Sequence, residues 1–289
     1  MQILINGLVA GSTAALLAYA FSMVYLPTRI FHIALAGVYP LVASVAWSCL
    51  QCGFPWYVAV GLGIPTGIGV SVLCELLNHA SLEKKGASPQ VHFVSSLGIN
   101  MFLVQIVALM WGSETKVLRR GVDRVIDFGP VFLTRMQMLT LFASLTVLIC
   151  VWTWLRFTRV GLFFRALADN PREFTLTGAS VSAFRLLAFG ISGFLVAVAA
   201  LLSAFDVGFD PYVGLPAVLL AMVSMIVGGR ESFLGPLIGG FLLGISRAYV
   251  VWFLSAKWQD PVTFALFAMF LLFRPNGLVA RKVRLEAAP

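Results

Sequence analysis

Residues 156–185 read RFTRVGLFFRALADNPREFTLTGASVSAFR and form a long, basic, polar stretch between hydrophobic segments. Apolar runs flank this stretch at 138–155 and at 186–205. Apolar runs of about 20 residues without strict alternation predict membrane-spanning helices, because a helix satisfies its own backbone hydrogen bonds in lipid. We therefore interpret residues 156–185 as a cytoplasmic loop where a membrane protein meets a partner.

The composition also requires a membrane environment. The 289 residues are 60% hydrophobic and only 11% charged, and the mean hydropathy is +0.95. A chain this apolar cannot hide its hydrophobic surface in one soluble core. We predict an all-α, polytopic helical membrane protein with eight or nine hydrophobic passes, which forms a single transmembrane domain over residues 1–289.

Successive hydrophobic segments define the predicted passes. Glycine and proline interrupt helices, so Gly37 and Pro40 are expected to break the second segment. The segment at 215–227 is short for a full crossing and is expected to be tilted, broken or re-entrant. Two glycine pairs have the GxxxG spacing that predicts close helix packing, Gly235 with Gly239 and Gly240 with Gly244. The segments occupy residues 3–26, 31–49, 54–78, 92–111, 138–155, 186–205, 215–227, 233–254 and 261–273.

The distribution of Lys and Arg predicts the orientation, because short cytoplasmic loops are enriched in these residues. Basic residues concentrate in the loop at 156–185 and in the tail after residue 273. This places both on the cytoplasmic side, with the N-terminus outside. The net charge of +8 is then a topology signal and predicts no nucleic-acid partner. One stretch conflicts with this orientation, because the external segment 113–137 carries Lys116, Arg119, Arg120, Arg124 and Arg135.

The sequence carries no motif of a catalytic or cofactor site. It lacks a GxxxxGK[ST] phosphate loop, HExxH and GxSxG, so we expect no enzyme, no ATPase motif and no cofactor in this chain. His32, His79 and His92 are too scattered in sequence to predict a metal site. The CxxC formed by Cys49 and Cys52 has no second CxxC and no neighbouring His, which disfavours a redox or metal role.

Helix-capping residues lie inside the central loop. Asn170 is suited to an N-cap, Pro171 to the first helical position, and Glu173 to a capping-box-like spacing. Gly178 offers a C-terminal cap. The sequence therefore predicts a two-turn helix over residues 171–177.

A helix this short is marginal in water and has to pack on the membrane surface or on another protein. In the functional interpretation it is a docking helix for a cytoplasmic partner, with Phe174 and Leu176 as contact residues. In the alternative interpretation, the loop is basic only because it sets the topology.

Ionisable residues inside the hydrophobic segments are the other candidates for function. Arg247 lies mid-segment, where a charge is costly enough to imply a partner or a water-lined path. Glu75 is nearer the inner end of its segment. Glu75 and Arg247 either form a structural ion pair or take part in solute transfer, and both interpretations are open. His32 is expected to make local hydrogen bonds rather than to relay protons. With Tyr39, these residues form the candidate translocation path.

Four stretches together resemble a known family. They are NGLVAGSTAALLAYAFSMVY at 6–25, TRVGLFFRALADNPREFTLTG at 158–178, GFDPYVGLPAVLLAMVSMIVGGRESFLGPLIGGFLLGISRA at 208–248, and FRPNGL at 273–278. The chain is similar over nearly its whole length to permease subunits of branched-chain amino acid ABC transporters, of the LivH/LivM type.

This resemblance implies a permease of the bacterial inner membrane. The implied partners are two cytoplasmic ATP-binding subunits, a second permease that is identical or different, a periplasmic solute-binding protein and membrane lipid. In such a family the loop at 158–178 is the ATPase-docking segment. The docking residues that it implies here are Arg165, Asp169, Asn170, Pro171, Arg172, Glu173, Phe174, Leu176 and Gly178.

Two departures from the family pattern bear on the solute. Residues 32–37 read HIALAG where the family commonly has Asn-Phe-Ala-His-Gly-Glu, and Arg247 stands where relatives often have an acidic residue. Losing an anion and gaining a cation favours a carboxylate over an ammonium group, so we hypothesise a small apolar or anionic solute, an amino acid or a related carboxylate. The rival functions are an ion-coupled secondary transporter and a non-transporting assembly subunit of the membrane.

Overall fold

The computed structural model describes residues 1–119, 121, 125–127, 129, 131–274 and 277–279. The described chain is mostly helical, as the composition predicts, with one short antiparallel hairpin of strands β1 (Val125–Asp127) and β2 (Phe132–Thr134). A π-helical turn (Cys74–His79) joins α3 to α4, and a 3-10 turn (Ala256–Trp258) precedes α12. The helices are α1 (Gln2–Thr28), α2 (Leu35–Gln51), α3 (Trp56–Leu73), α4 (Ala80–Lys84), α5 (Pro89–Trp111), α6 (Arg135–Phe157), α7 (Arg159–Asp169), α8 (Pro171–Thr175), α9 (Val181–Asp206), α10 (Gly214–Gly228), α11 (Gly235–Phe253) and α12 (Gln259–Phe273).

Six helical runs among the described residues are long and apolar enough to cross a membrane. They are α1, the continuous run from α3 through the π-helical turn to the end of α4, α5, α6, α9 and α11. The apolar helices α2 and α10 are shorter. The chain is therefore a multi-pass helical membrane protein.

Helices α1 and α9 form the centre of the bundle. In each, 61% of the most apolar window is buried, against 22–28% in the other four long runs. The residues buried in α1 include small ones such as Ala15, Ala18 and Ala20, which allow neighbouring helices to approach closely. The outer helices instead expose large apolar side chains such as Phe102 and Phe142, as lipid-facing helices do.

The two predicted GxxxG pairs pack as expected. A Cβ atom at Gly240 or Gly244 would collide with Ala15 or Gly11 of α1. A Cβ atom at Gly235 or Gly239 would collide with the backbone of the last turn of α10 or the residue that follows it. Four glycines within the first three turns of α11 thus bring two neighbouring helices into backbone contact.

Two expected helix breaks are wrong. Helix α2 begins at Leu35 and continues through Gly37 and Pro40 without a break. Gly37 does not interrupt α2 but lies against α5, where a Cβ atom would collide with Leu103. Packing against neighbours outweighs the local preference of these residues in a membrane, because surrounding groups compensate for the lost backbone hydrogen bond.

Side-chain and backbone contacts define the two ends of the bundle. At one end, α7 lies beside the turn that precedes α11, with the Phe164 and Phe233 rings 6.0 Å apart. At the other end, the segment after α5 meets the segment after α9 through a backbone bridge between Lys116 and Phe209. We call these the α7 end and the Lys116 end.

Candidate functional site

The candidate site at the α7 end begins with two short helices in place of the single predicted one. The Thr158 hydroxyl caps α7 by accepting a hydrogen bond of 3.0 Å from the Gly161 amide. The Asn170 Oδ1 accepts a hydrogen bond of 3.3 Å from the Glu173 amide, which confirms the predicted N-cap of α8. Helix α8 ends at Thr175, earlier than predicted, and Gly178 closes the segment with a positive φ of 75°.

Phe174 anchors α8 to the bundle. Its side chain is only 2% exposed, and its ring lies 6.2 Å from Phe163 of α7 and 5.4 Å from Phe184 of α9. Phe174 therefore packs against the bundle, and its assignment as a partner contact stays a prediction. Leu176 is 86% exposed and is available to a partner.

Helix α7 is amphipathic. Phe164 and Leu167 are fully buried on its inner face. On the outer side, exposed apolar side chains form what we call the α7–α8 surface, made of Phe157 (76% exposed), Val160 (44%), Leu162 (57%) and Leu176 (86%). Sequence reasoning missed α7 and this surface, although the alternation of apolar and polar residues at helical spacing in RVGLFFRALAD was a usable signal.

The other predicted docking residues lie on or near this surface. Arg165 is half-buried, and its guanidinium lies 3.5 Å from the Arg156 carbonyl oxygen. Asn170 is half-buried as the cap of α8. The side chain of Arg172 lies outside the described part of the chain. The exposed members of the set are Asp169, Pro171, Glu173, Leu176 and Gly178.

A buried ion pair lies close behind α8. Arg185 Nε donates a hydrogen bond of 2.6 Å to Glu75 Oε1, and its Nη2 lies 3.3 Å from Glu75 Oε2. The same guanidinium reaches Glu83, with Arg185 Nη1 and Glu83 Oε2 3.1 Å apart. The predicted alternative of a Glu75–Arg247 pair is wrong, because Glu75 pairs with Arg185 of α9. Arg185 was not among the candidate path residues.

The three histidines form one hydrogen-bonded chain. His32 Nδ1 lies 3.2 Å from His79 Nε2, and His79 Nδ1 lies 3.1 Å from His92 Nδ1. His92 Nε2 is 3.7 Å from Glu83 Oε2, so the chain lies beside the ion pair without a hydrogen bond to it. The histidines are scattered in sequence but meet in space, because α3, α5 and the turn before α2 converge at the α7 end.

The histidine chain is not a metal centre. The described residues contain no group of three or more His, Cys, Asp or Glu arranged to hold a metal ion. The direct contacts between imidazole nitrogens use the lone pairs that a metal would need. The one hydrogen bond that the structure gives the His32 ring is to His79, 47 residues away in the chain.

Arg247 belongs to a separate ion pair at the Lys116 end. Its Nη1 lies 3.1 Å from Asp260 Oδ1, and its Nη2 donates a hydrogen bond of 3.2 Å to Gln259 Oε1. Helix α11 ends at Phe253, so Arg247 is six residues from that end, roughly 9 Å along the axis. It is in the second half of the helix, three residues past its centre, and its charge is balanced by the start of the next helix.

The four candidate path residues do not converge on one site. His32 and Glu75 belong to the same network at the α7 end, and Arg247 belongs to the separate pair with Asp260. Tyr39 is 4% exposed and lies in the main hydrophobic core. A cavity of about 740 Å³ between α3, α6 and α9 is lined by apolar residues and by Arg119, and it contains none of the four.

The fold and these sites define a class of protein. It is a multi-pass membrane protein that lacks a metal centre in its described part and presents an anchored, partly apolar pair of short helices between two membrane-spanning helices. The family described as the permease component of the branched-chain amino acid transport system matches residues 3–272. The chain belongs to this family.

Characterised relatives cover nearly the full length of the chain. The permease protein BraD of the high-affinity branched-chain amino acid transport system of Pseudomonas aeruginosa is 28% identical, with 97% of this chain and 96% of BraD aligned. The corresponding LivH protein of Escherichia coli K12 is also 28% identical, with the same coverage. A probable LivH of Methanocaldococcus jannaschii is 25% identical over 96% of this chain and 91% of its own length.

A solved structure shares the fold. PsaBC from Streptococcus pneumoniae, in complex with Fab, aligns with a TM-score of 0.54 over 95% of this chain and 92% of its own chain. The sequence identity is 10%, so the similarity concerns the arrangement of helices alone.

Proposed function

We propose that the chain is the membrane-spanning permease subunit of an ATP-binding cassette importer and that its α7–α8 surface receives a cytoplasmic ATP-binding subunit. The observation that carries the proposal is the exposed apolar surface on a segment whose inner face is firmly anchored. Leu162 and Leu176 point away from the bundle while Phe164 and Phe174 hold the segment in place. A rigid, apolar, protruding surface is typical of a protein interface.

Charge on the segment supports a protein partner outside the membrane. Arg156 and Arg159 are exposed beside the apolar residues, and Glu173 is exposed on α8. Arg and Lys next to a spanning helix favour the cytoplasmic side. In this proposal the protein lies in the inner membrane of a bacterium. The α7 end and the C-terminus are on the cytoplasmic side, and the N-terminus is on the outer side.

The proposed topology has nine passes. The six long runs are joined by α2, α10 and α12, which alternate in direction between the two ends of the bundle. Although α2 and α10 are shorter than the six long runs, each connects one end of the bundle with the other and is counted as a pass. An odd number of passes puts the two termini on opposite sides, which agrees with the distribution of basic residues.

The proposed cargo is a small solute, an amino acid or a related carboxylate, delivered by a solute-binding protein. The names of the relatives support this class, because BraD and LivH are permeases of branched-chain amino acid transport systems. The pair with Asp260 balances Arg247, so Arg247 gives no reason to prefer an anionic solute. The path is proposed to run along α2, which carries Tyr39, and along the π-helical turn after α3, which carries Glu75 and borders His32.

The proposal also includes a second permease subunit. ATP-driven closure of the ATP-binding subunits would move the α7–α8 segment, and the permease pair would then switch between outward-facing and inward-facing states. The role of the chain in this proposal is to bind the solute with different affinity in the two states, and it carries out no chemistry of its own.

Co-purification tests the docking proposal. The chain is co-expressed with a P-loop ATPase of the same genome, and the complex is isolated through a tag on the permease. The double variant Leu162→Glu/Leu176→Glu is expected to lose the ATPase while it still inserts in the membrane. Val207→Glu, which changes a 75% exposed side chain at the Lys116 end, is the matched control and should retain the ATPase. Solute uptake in cells that lack every such ATPase would contradict the importer proposal and favour an ion-coupled transporter.

A further inference from the structure

Arg185 stands where the docking segment meets the bundle. It is in the first turns of α9, which begins at Val181 directly after the α7–α8 segment. The preceding residue, Phe184, packs on Phe174 of α8 at a ring distance of 5.4 Å. A displacement of α8 therefore moves the part of α9 that carries the Arg185 guanidinium.

The two carboxylates that bind Arg185 differ in their surroundings. Glu75 is 2% exposed and contacts the guanidinium through both of its oxygens. The Glu83 side chain is 58% exposed and contacts it at 3.1 Å. A buried carboxylate has no replacement for its partner, whereas an exposed carboxylate exchanges its partner for water at little cost. The Glu75 contact is thus costly to break, whereas the Glu83 contact is easily released.

The π-helical turn places Glu75 for this contact. Buried residues recur at every fourth position along the run that begins with α3, namely Ala59, Gly63, Gly67, Ser71, Glu75 and His79. In a regular α-helix, four residues rotate about 40° beyond a full turn, so such a row drifts around the helix. The wider turn at Cys74–His79 offsets that drift and keeps Glu75 and His79 on the inner face.

The histidine chain extends from the neighbourhood of Glu83 into the bundle. A neutral imidazole has one N–H and one lone pair, so each contact between two rings needs a donor on one side. His92 Nε2 lies 3.7 Å from Glu83 Oε2, too far for a hydrogen bond, but the nearby negative charge favours the tautomer that carries its proton on Nε2. His79 Nδ1 then donates to His92 Nδ1, and His32 Nδ1 donates to His79 Nε2. In this tautomer order His32 Nε2 has no proton, and neither His32 Nε2 nor His92 Nε2 has a hydrogen-bond partner among the described residues.

The network thus connects four separate parts of the chain. Arg185 belongs to α9, Glu75 and His79 to the π-helical turn, and His92 to α5. The turn before α2 joins through His32 and through the Ala34 amide, which donates a hydrogen bond of 2.9 Å to the Ser96 hydroxyl of α5. A buried ion pair is weak evidence for stability alone, because desolvation offsets much of its attraction. Its place between the docking segment and three other elements points to a role in positioning.

We propose that Arg185 is the positioning residue that couples the docking segment to α3 and α5, by holding Glu75 in both transport states and Glu83 in only one. Release of Glu83 removes the carboxylate that orders the histidine chain, so the contact between α4, α5 and the turn before α2 loosens. This inference rests on the proposed docking of an ATP-binding subunit at the α7–α8 surface.

Labelled histidine provides a direct test. The chain has three histidines, and all three lie in this network. The permease, with its histidines labelled with ¹⁵N, is assembled with the unlabelled ATP-binding subunits in lipid nanodiscs, and imidazole spectra are recorded with and without the ATP analogue ATPγS. The nucleotide is expected to shift the His92 and His79 signals. The shift should fall at least several-fold in Arg185→Lys and in Glu83→Gln, while the ATP-binding subunit stays bound.

Matched variants and two distinct failures make this test decisive. Arg247→Lys makes the same substitution in the other ion pair and should leave the nucleotide-induced shift unchanged. The double variant Arg185→Lys/Glu83→Gln should lose no more of the shift than either single variant, because both act on one contact. An intact complex whose imidazole signals ignore the nucleotide, or respond equally in Arg185→Lys, overturns the coupling role. Failure of the ATP-binding subunit to bind the unaltered permease overturns the docking proposal instead.

Discussion

Arg185 Nε and Glu75 Oε1 lie 2.6 Å apart, although 110 residues separate them in the chain. Both side chains are less than 10% exposed. The pair fixes the start of α9, directly after the docking segment, against the π-helical turn that ends α3.

Replacement of Glu75 by Gln is expected to destabilise the protein strongly. It removes the buried anion and leaves the Arg185 guanidinium with the more exposed Glu83 alone. Loss of one member of a buried ion pair costs about 3–5 kcal/mol, and unfolding of the purified protein in detergent measures the loss. Glu83→Gln is the companion variant and should cost no more than about 1 kcal/mol, because that carboxylate is largely solvated. Equal losses in the two variants would contradict the distinction between a contact that is costly to break and one that is easily released.

Replacement of Phe174 by Ala is expected to free α8 without unfolding the bundle. The ring fills the space between Phe163 and Phe184, and removal of a buried aromatic side chain costs about 3–5 kcal/mol locally. Limited proteolysis should cut the variant within residues 170–180 much faster than the unaltered protein. Leu176→Ala serves as the control, because Leu176 is exposed and its loss should leave the cleavage rate unchanged. Rapid cleavage of both variants, or of neither, would refute the anchoring role of Phe174.

Two glycine substitutions are expected to act in opposite directions. Gly244→Ala places a Cβ atom against the backbone of α1 at Gly11 and should destabilise the protein. Gly69→Ala adds a Cβ atom in open space within α3 and should stabilise the helix by about 0.5–1 kcal/mol. Unfolding of each variant in the same detergent measures the difference. A stabilising effect of Gly244→Ala would show that α1 and α11 are not in backbone contact.

Thiol labelling is expected to confirm the proposed orientation. All four cysteines are free, and Cys52 is exposed in the turn between α2 and α3 at the Lys116 end. In a variant that keeps only Cys52, a membrane-impermeant maleimide should label intact spheroplasts. A variant whose single cysteine replaces Leu176 should react only after the membrane is opened. Labelling of the Leu176 position in intact spheroplasts would show that the orientation is the reverse of the proposed one.

The sequence predicts the helical segments well because lipid imposes a simple rule. Apolar length decides which runs span the membrane, and every segment predicted from 3–26 to 261–273 coincides with a described helix. The rule does not locate helix starts, which is why α2 begins at Leu35 rather than near Phe31. Pro40 and Gly37 misled the prediction, since neighbouring helices decide whether such residues interrupt a helix.

The candidate site is less predictable because it depends on contacts between distant segments. The cap residues Asn170 and Gly178 were found because capping is local. The burial of Phe174 depends on Phe184, and the partner of Glu75 depends on how α9 packs on α3. Arg185 was counted only as a topology signal at the end of the basic loop. The ion pair of Arg247 could have been predicted, because Asp260 lies directly before the next hydrophobic segment, just after a short turn.

Photo-crosslinking from Leu176 tests the central claim most directly. The photoreactive residue p-benzoylphenylalanine is placed at position 176, or at position 207 as the control, in cells that also produce the ATP-binding subunit. The account predicts that illumination joins the permease to the ATP-binding subunit from position 176 and not from position 207. Adducts with lipid alone from position 176, or equal adducts with the ATP-binding subunit from both positions, would contradict the account.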